Sequence, residues 1–185
     1  MNSNNQSRNI LLIASLSILV ILRLLPHPAN FSPVGAIAIL GAYFMASKKN
    51  VYWLPLAVML LSDILLELSY RIGYSAFPGF NATMLFVYPS FMLMAMLGKW
   101  AGNKQTIPAL VTSLIGGSLL FFVITNFGYW LLYMPKSFEG LMQSYVQAIP
   151  FYRSSLLGDM IYTIGGYIII RQVLSYFAPA THKMA

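Results

Sequence analysis

The chain has 185 residues, of which 58% are hydrophobic and 8% are charged, and its mean hydropathy is +0.71. Soluble domains have charged residues at about a quarter of their positions, so this shortage of charge indicates a surface that faces lipid. The net charge of +7 is spread over single or paired basic residues, which argues against a nucleic-acid partner, and the absence of cysteine excludes disulfides and thiolate metal ligands.

The apolar residues fall into six segments. About 20 apolar residues cross a bilayer at ~1.5 Å per residue. By this criterion we expect one membrane domain over residues 1–185, an all-α integral membrane protein built as a six-transmembrane-helix bundle. The second and fourth helices are short, so they are either tilted or partly buried in protein. The predicted helices are residues 9–25, 31–46, 51–69, 82–97, 107–133 and 151–175.

The first segment resembles a signal peptide, because one arginine precedes its apolar core. No small-x-small cleavage site follows that core, where Arg23 and several prolines stand instead. We therefore interpret the segment as an uncleaved first helix.

The connector at 134–150, MPKSFEGLMQSYVQAIP, follows the fifth helix. Leu141, Tyr145 and Ala148 recur at helical spacing, and Ser137 with Glu139 favours a helix cap at the start. We expect a short amphipathic helix that lies on the membrane surface or covers the bundle as a lid.

Six helices put both termini on the same side of the membrane. Seven of the eleven basic residues fall on that side, so the positive-inside rule predicts cytoplasmic termini for a multi-pass protein of the bacterial inner membrane. These seven are Arg8, Lys48, Lys49, Lys99, Lys104, Arg171 and Lys183.

Three carboxylates fall inside predicted helices. Asp63 and Glu67 share one face of the third helix, and Asp159 lies eight residues into the sixth. Ionisable groups at such depth normally face the bundle interior with a partner. Arg23 is expected to pair with Asp63 or Glu67, and Arg153 with one of the carboxylates. Such pairs either lock the helices together or contact a ligand, and the sequence does not decide between these two roles.

Polar and aromatic residues converge on the extracellular half of the predicted bundle. In the sixth helix, Tyr152, Ser155 and Asp159 belong to one continuous polar and small face. This convergence favours a small-molecule cavity, while an interfacial belt is the alternative for the Tyr and Trp residues. The candidate substrate-binding residues are Arg23, His27, Asn30, Asp63, Glu67, Asn81, Tyr88, Asn126, Tyr129, Trp130, Tyr152, Arg153 and Asp159.

The sequence carries no recognisable catalytic motif. It lacks HExxH and GxSxG, and His27 and His182 are too far apart in the predicted topology to share a metal. We therefore expect no enzyme and no cofactor. Without a P-loop, the chain by itself is not a nucleotide-driven pump.

The order of the elements resembles the S-components of energy-coupling-factor vitamin transporters, six-helix proteins of about this size with an extracellular binding site. More closely, the chain resembles a family of small bacterial transport proteins similar to the solitary cobalamin transporter BtuM. The stretches that carry this resemblance, from Arg23 to Asp159, are RLLPHPANFSPVGAIAILGAYF, LPLAVMLLSDILL, NATMLFVYPSFMLMAMLGKW, SLLFFVITNFGYWL and YVQAIPFYRSSLLGD.

Two departures from this resemblance matter. The cobalamin branch uses a cysteine as cobalt ligand, and this chain has none. His27 would then be the substitute ligand, Met84 or a tyrosine would be weaker ones, and a capping or solvent-facing role is the alternative for the histidine. The first helix also lacks the AxxxA pattern that docks on a coupling module, since Ile18 stands four residues after Ala14. This weakens the case for a shared coupling module, which stays possible as a partner, and leaves room for a solitary transporter.

We thus expect a transporter, or a substrate-binding subunit, for uptake of a small nutrient across the lipid bilayer. The resemblance alone suggests cobalamin or another corrinoid as substrate. The alternative is a six-helix scaffold that acts through protein contacts and resembles the rod-shape proteins, and an intramembrane enzyme comes third.

Overall fold

The structure is a computed structural model that describes residues 3–25, 28, 30–45, 51–76 and 78–176. Over these residues the chain is all-helical, which confirms the predicted all-α class. The six helices of the described ranges are α1 (Ser3–Leu24), α2 (Val34–Phe44), α3 (Trp53–Arg71), α4 (Met84–Lys104), α5 (Ile107–Tyr133) and α6 (Phe138–Tyr176).

Two helices in the described part of the chain, α4 and α5, are long and apolar enough to cross a membrane. This finding rests on length and composition, which the core helices of soluble proteins can share. It is consistent with membrane association, and the six-span arrangement is taken up below as a proposal.

The short helix α2 forms the centre of the fold. All eleven of its residues are buried, and it contacts each of the other five helices. At ~1.5 Å per residue, eleven residues extend only about 16 Å, roughly half of a ~30 Å hydrocarbon core. The sequence-based expectation that this helix is partly buried in protein is therefore met.

Small residues let the neighbours of α2 approach closely. A Cβ atom at Gly98 of α4 would overlap the carbonyl oxygen of Ile39, so the two backbones are in contact. Gly35 and Leu40 of α2 touch Asp159 and Gly166 of α6, so α2 and α6 run in the same direction.

The helix predicted within 134–150 is present, but the prediction that it forms a separate surface or lid segment was wrong. Residues 138–150 continue without interruption into the sixth helix, which extends over 39 residues. The Ser137 hydroxyl accepts a hydrogen bond from the amide of Gly140 at 3.1 Å, so the predicted cap stands at the start of this longer helix. Pro150 lies inside α6, where it cannot donate to the carbonyl of Val146. Proline therefore removes one bond and does not end the helix.

The other predicted boundaries shift for simpler reasons. The fourth helix extends to Lys104, beyond the predicted end at 97, because polar residues at a helix end leave its backbone bonding intact. The second helix begins only after Pro33, because the chain turns just before it: the amide of Phe31 donates to the carbonyl of Pro28 at 3.0 Å, and Asn30 has φ +60°. Asparagine tolerates this left-handed conformation better than most residues.

Candidate ligand-binding site

A charged network joins α1, α3 and α4. Arg23 Nη2 lies 2.5 Å from Asp63 Oδ1, and its other terminal nitrogen donates to the hydroxyl of Ser62. The hydroxyl of Tyr88 donates to Asp63 Oδ2 at 2.7 Å. Asp63 is completely buried, so these donors replace the water that its carboxylate has lost. Arg23 was expected to pair with Asp63 or Glu67, and the structure shows the pair with Asp63.

Beside this network, a cavity of about 420 Å³, called cavity A, lies between α5 and α6. Phe122, Phe151 and Tyr152 contribute aromatic walls, and Asn126 and Gln147 contribute amide groups. The rings of Phe122 and Tyr152 pack with their centroids 4.7 Å apart. Cavity A combines apolar walls with a few polar groups, as small-molecule sites usually do.

A second cavity, cavity B, has about 200 Å³ and lies at the N-terminus of α2. Arg23 and Asp159 both line it, and so does Gly35 in the first turn of α2. Cavities A and B adjoin, because Asn30, Phe121 and Ser155 line both. Together they run from the α5–α6 interface to the charged network.

A third space, cavity C, has about 510 Å³ and lies under the loop between α3 and α4. Arg23, Asn30 and Ser32 line it as well as cavity B. Asn30 therefore borders all three cavities. Its left-handed backbone lets the chain turn sharply between α1 and α2 at this point.

The structure brings about half of the predicted site residues together. Those that line cavity A or B are Arg23, Asn30, Asn126, Tyr129, Tyr152 and Asp159. Asp63 and Tyr88 stand behind Arg23 and hold its guanidinium in place. His27 lies outside the described residues.

Four predicted site residues are not among those that line cavities A and B, and three of them have other contacts. The carboxylate of Glu67 pairs with Arg71 at 2.9 Å and accepts the amide of Gly79 at 3.2 Å, so it fixes the α3–α4 loop. Asn81 accepts the amide of Thr83, and the indole of Trp130 donates to the carbonyl of Pro135. The fourth, Arg153, is exposed and forms no ion pair with a described residue, so the pair expected for it is not present there.

A family model matches residues 3–177 and thus covers all six helices. The chain belongs to DUF6580, a family of unknown function. Searches of the curated proteins and of the solved structures find no match.

Several residues that line cavity A in this DUF6580 protein were not identified by the sequence analysis. Their signal was present in α5, where Ser118, Phe122 and Thr125 continue the helical spacing that was recognised only from Asn126 onward. In α6, Ser144 and Gln147 were missed because the segment before Pro150 was assigned to a separate lid.

The described residues contain no group of three or more His, Cys, Asp or Glu side chains that would hold a metal ion. The polar groups of the two cavities are instead amides, hydroxyls, one guanidinium and one carboxylate. These groups can hydrogen-bond and charge-pair with an organic molecule.

Proposed function

We propose that this protein is a six-span protein of the bacterial inner membrane that binds a small nutrient and takes part in its uptake, as a transporter or a substrate-binding subunit. The observation that carries the proposal is the pair of adjoining cavities A and B, which are lined by polar and aromatic side chains.

These cavities are concentrated toward one end of the bundle. They lie along the C-terminal half of α5, the N-terminus of α2 and the first part of α6. Toward the opposite end, the side chains of Tyr43, Leu110 and Ile170 are buried, and the Tyr43 ring packs against Tyr167 at 5.6 Å. A site that lies toward one end of the bundle suits capture of a ligand from one side of a membrane.

The exposed surfaces support a position in lipid. Ile18 and Ile21 of α1 are more than half exposed, and Ile164 and Ile168 of α6 are about half exposed. Rows of large aliphatic side chains are costly in water and favourable in a bilayer. Helices suit a bilayer as well, because they satisfy their own backbone hydrogen bonds internally. With the positive-inside orientation, the end with the cavities faces outward.

The charged network of Arg23, Asp63 and Ser62 fixes one wall of cavity B before a ligand binds. Because Arg23 is held by Asp63 and Ser62 before any ligand arrives, its guanidinium needs little reordering on binding. The corrinoid suggestion rests on the resemblance to S-components alone. A corrinoid is larger than cavity A, so its binding would require the cavities to merge or open outward.

The test uses two neighbouring residues of α6, of which one lines cavity A and the other does not. Ala148 lines cavity A, whereas Ile149 is 46% exposed on the outer face. Ala148→Trp fills the cavity with an indole, and Ile149→Trp places the same group outside it.

The purified full-length proteins are incubated with a metabolite extract that is supplemented with corrinoids, washed, denatured and analysed by mass spectrometry. We expect the wild type and Ile149→Trp to retain the same small molecule and Ala148→Trp to lose it. Cells that depend on uptake of that molecule should grow when they produce the wild type or Ile149→Trp, and should fail to grow when they produce Ala148→Trp. If the wild type retains nothing, the binding proposal is wrong and the scaffold alternative is favoured.

A further inference from the structure

The carboxylate of Asp159 has an unusual position in the bundle. The residue is 7% exposed, lines cavity B and lies directly against Gly35 in the first turn of α2. A Cβ atom at Gly35 would overlap the Asp159 carboxylate, so only glycine leaves room for it there. The carboxylate is therefore built into the wall of the cavity.

The charges around the two cavities do not balance. Among the described residues that line cavities A and B, Arg23 is the one cation and Asp159 is the one carboxylate. The guanidinium of Arg23 is already paired with Asp63, 2.5 Å away. Asp159 forms no ion pair within the described ranges, and its polar neighbour is the hydroxyl of Ser118. When Asp159 is ionised, this group of three side chains has a net charge of −1.

The N-terminus of α2 offsets only part of that charge. A helix N-terminus is equivalent to roughly half a positive charge, and a hydroxyl donor adds a single hydrogen bond. A buried carboxylate normally has a full counter-charge. The remaining negative charge faces the cavity, where a bound molecule can supply its partner.

The aromatic walls suit the same kind of molecule. Phe121 lines both cavities and packs on Phe91 at 5.2 Å, and Phe122, Phe151 and Tyr152 continue the aromatic surface in cavity A. The faces of such rings attract cations and stack on planar groups. A divalent metal ion would need more ligands than the described residues provide.

We propose that cavities A and B bind a small organic cation whose protonated or quaternary nitrogen pairs with the carboxylate of Asp159 while its planar body lies between the aromatic walls of cavity A. This inference rests on the proposed function and names the chemical class of its ligand. An anionic ligand is disfavoured because the one guanidinium in the lining is occupied by Asp63.

The first test is the identity of the molecule that the wild-type protein retains from the metabolite extract. A retained amine, amidine or quaternary nitrogen compound supports the inference. A neutral or anionic compound that Ala148→Trp fails to retain would overturn the inference and leave the proposed function standing. If nothing is retained, both proposals are wrong.

The second test uses matched probes on purified full-length protein. Binding of tryptamine is compared by calorimetry with that of tryptophol, its neutral isostere, and with that of indole-3-propionate. We expect the cation to bind at least about tenfold more tightly than the isostere, which corresponds to 1.4 kcal/mol. Equal or inverted affinities would contradict the inference.

Asp159→Asn keeps the shape of the side chain and removes its charge. We expect this variant to lose the preference for the cation, while Glu67→Gln, whose parent carboxylate pairs with Arg71, keeps it. A preference that persists in a folded Asp159→Asn protein would overturn the inference. The comparison of probes on the wild type needs no variant, so it remains decisive if Asp159→Asn does not fold.

Discussion

Arg23 near the end of α1 and Asp63 in the middle of α3 form an ion pair across the bundle, 2.5 Å from nitrogen to oxygen. The side chain of Asp63 is completely buried and that of Arg23 is 12% exposed, so the two helices are held by a pair that water barely reaches. Removing Arg23 leaves a buried carboxylate that forms no ion pair with another described residue.

Arg23→Leu should therefore destabilise the protein strongly. Breaking a buried pair by removing one partner costs about 3–5 kcal/mol, because the remaining charge stays desolvated. The measurement is unfolding of the purified protein in detergent, followed by circular dichroism. The control is Arg71→Leu, which breaks an exposed pair with Glu67 and should cost about 1 kcal/mol or less. Similar losses for both variants would show that the Arg23 pair has no special role, whereas the double variant Arg23→Leu with Asp63→Leu should recover part of the lost stability.

Tyr88→Phe removes the second donor to Asp63 without changing the shape of the ring. A hydrogen bond to a charged group contributes about 1.5–3 kcal/mol, so we expect a loss of that order in the same unfolding measurement. Tyr70→Phe on the exposed face of α3 is the control and should leave stability unchanged. Equal stability of Tyr88→Phe and wild type would mean that the Tyr88 hydroxyl is satisfied by water as well as by Asp63.

Gly98→Ala and Gly165→Ala test the close packing of α2 on α4. At Gly98 a methyl group meets the backbone of Ile39, so we expect a loss of about 1–3 kcal/mol from overpacking. At Gly165 nothing lies within 4 Å of the added atom, and the better helix propensity of alanine should stabilise the protein by up to about 1 kcal/mol. We expect Gly98→Ala to lower the melting temperature and Gly165→Ala to raise it. An unchanged melting temperature for Gly98→Ala would contradict the close approach of the α2 and α4 backbones.

The orientation in the membrane can be tested with single cysteines, because the natural chain has none. Ile72→Cys and Glu139→Cys lie at the end of the bundle near the cavities, and Asn103→Cys lies at the opposite end; all three native side chains are exposed. In intact spheroplasts, a membrane-impermeant maleimide should label the first two and not the third. Permeabilised cells provide the control, in which all three react. Labelling of Asn103→Cys in intact cells would invert the proposed orientation.

The sequence was informative where polar residues repeat at helical spacing. The stripe at Asn126 and Tyr129 and the face with Tyr152 and Asp159 both line the observed cavities. The presence of the helices in the described ranges was equally predictable, because turn residues bound each apolar segment.

Two features could not be read from the sequence. Asp63 and Glu67 lie on the same face of α3, and the choice of Arg23 between them depends on how far α1 and α3 are displaced along each other. The continuity of α6 through Pro150 was also hidden, because proline disfavours the preceding helical turn locally. Packing against α5 compensates, since Tyr145 before the proline donates to the carbonyl of Val123 and Tyr152 after it packs on Phe122.

In the proposed six-span arrangement, the shortness of α2 has a consequence for how the protein is made. A helix that extends about 16 Å cannot span a bilayer by itself, so it has no stable position in lipid when it leaves the ribosome. Its neighbours in α4 and α6 are synthesised later, and until they arrive its ends would leave backbone groups unsatisfied in hydrocarbon. The centre of this protein is therefore completed last, and a chain truncated before α6 should be recognised by quality-control proteases as an unfinished bundle.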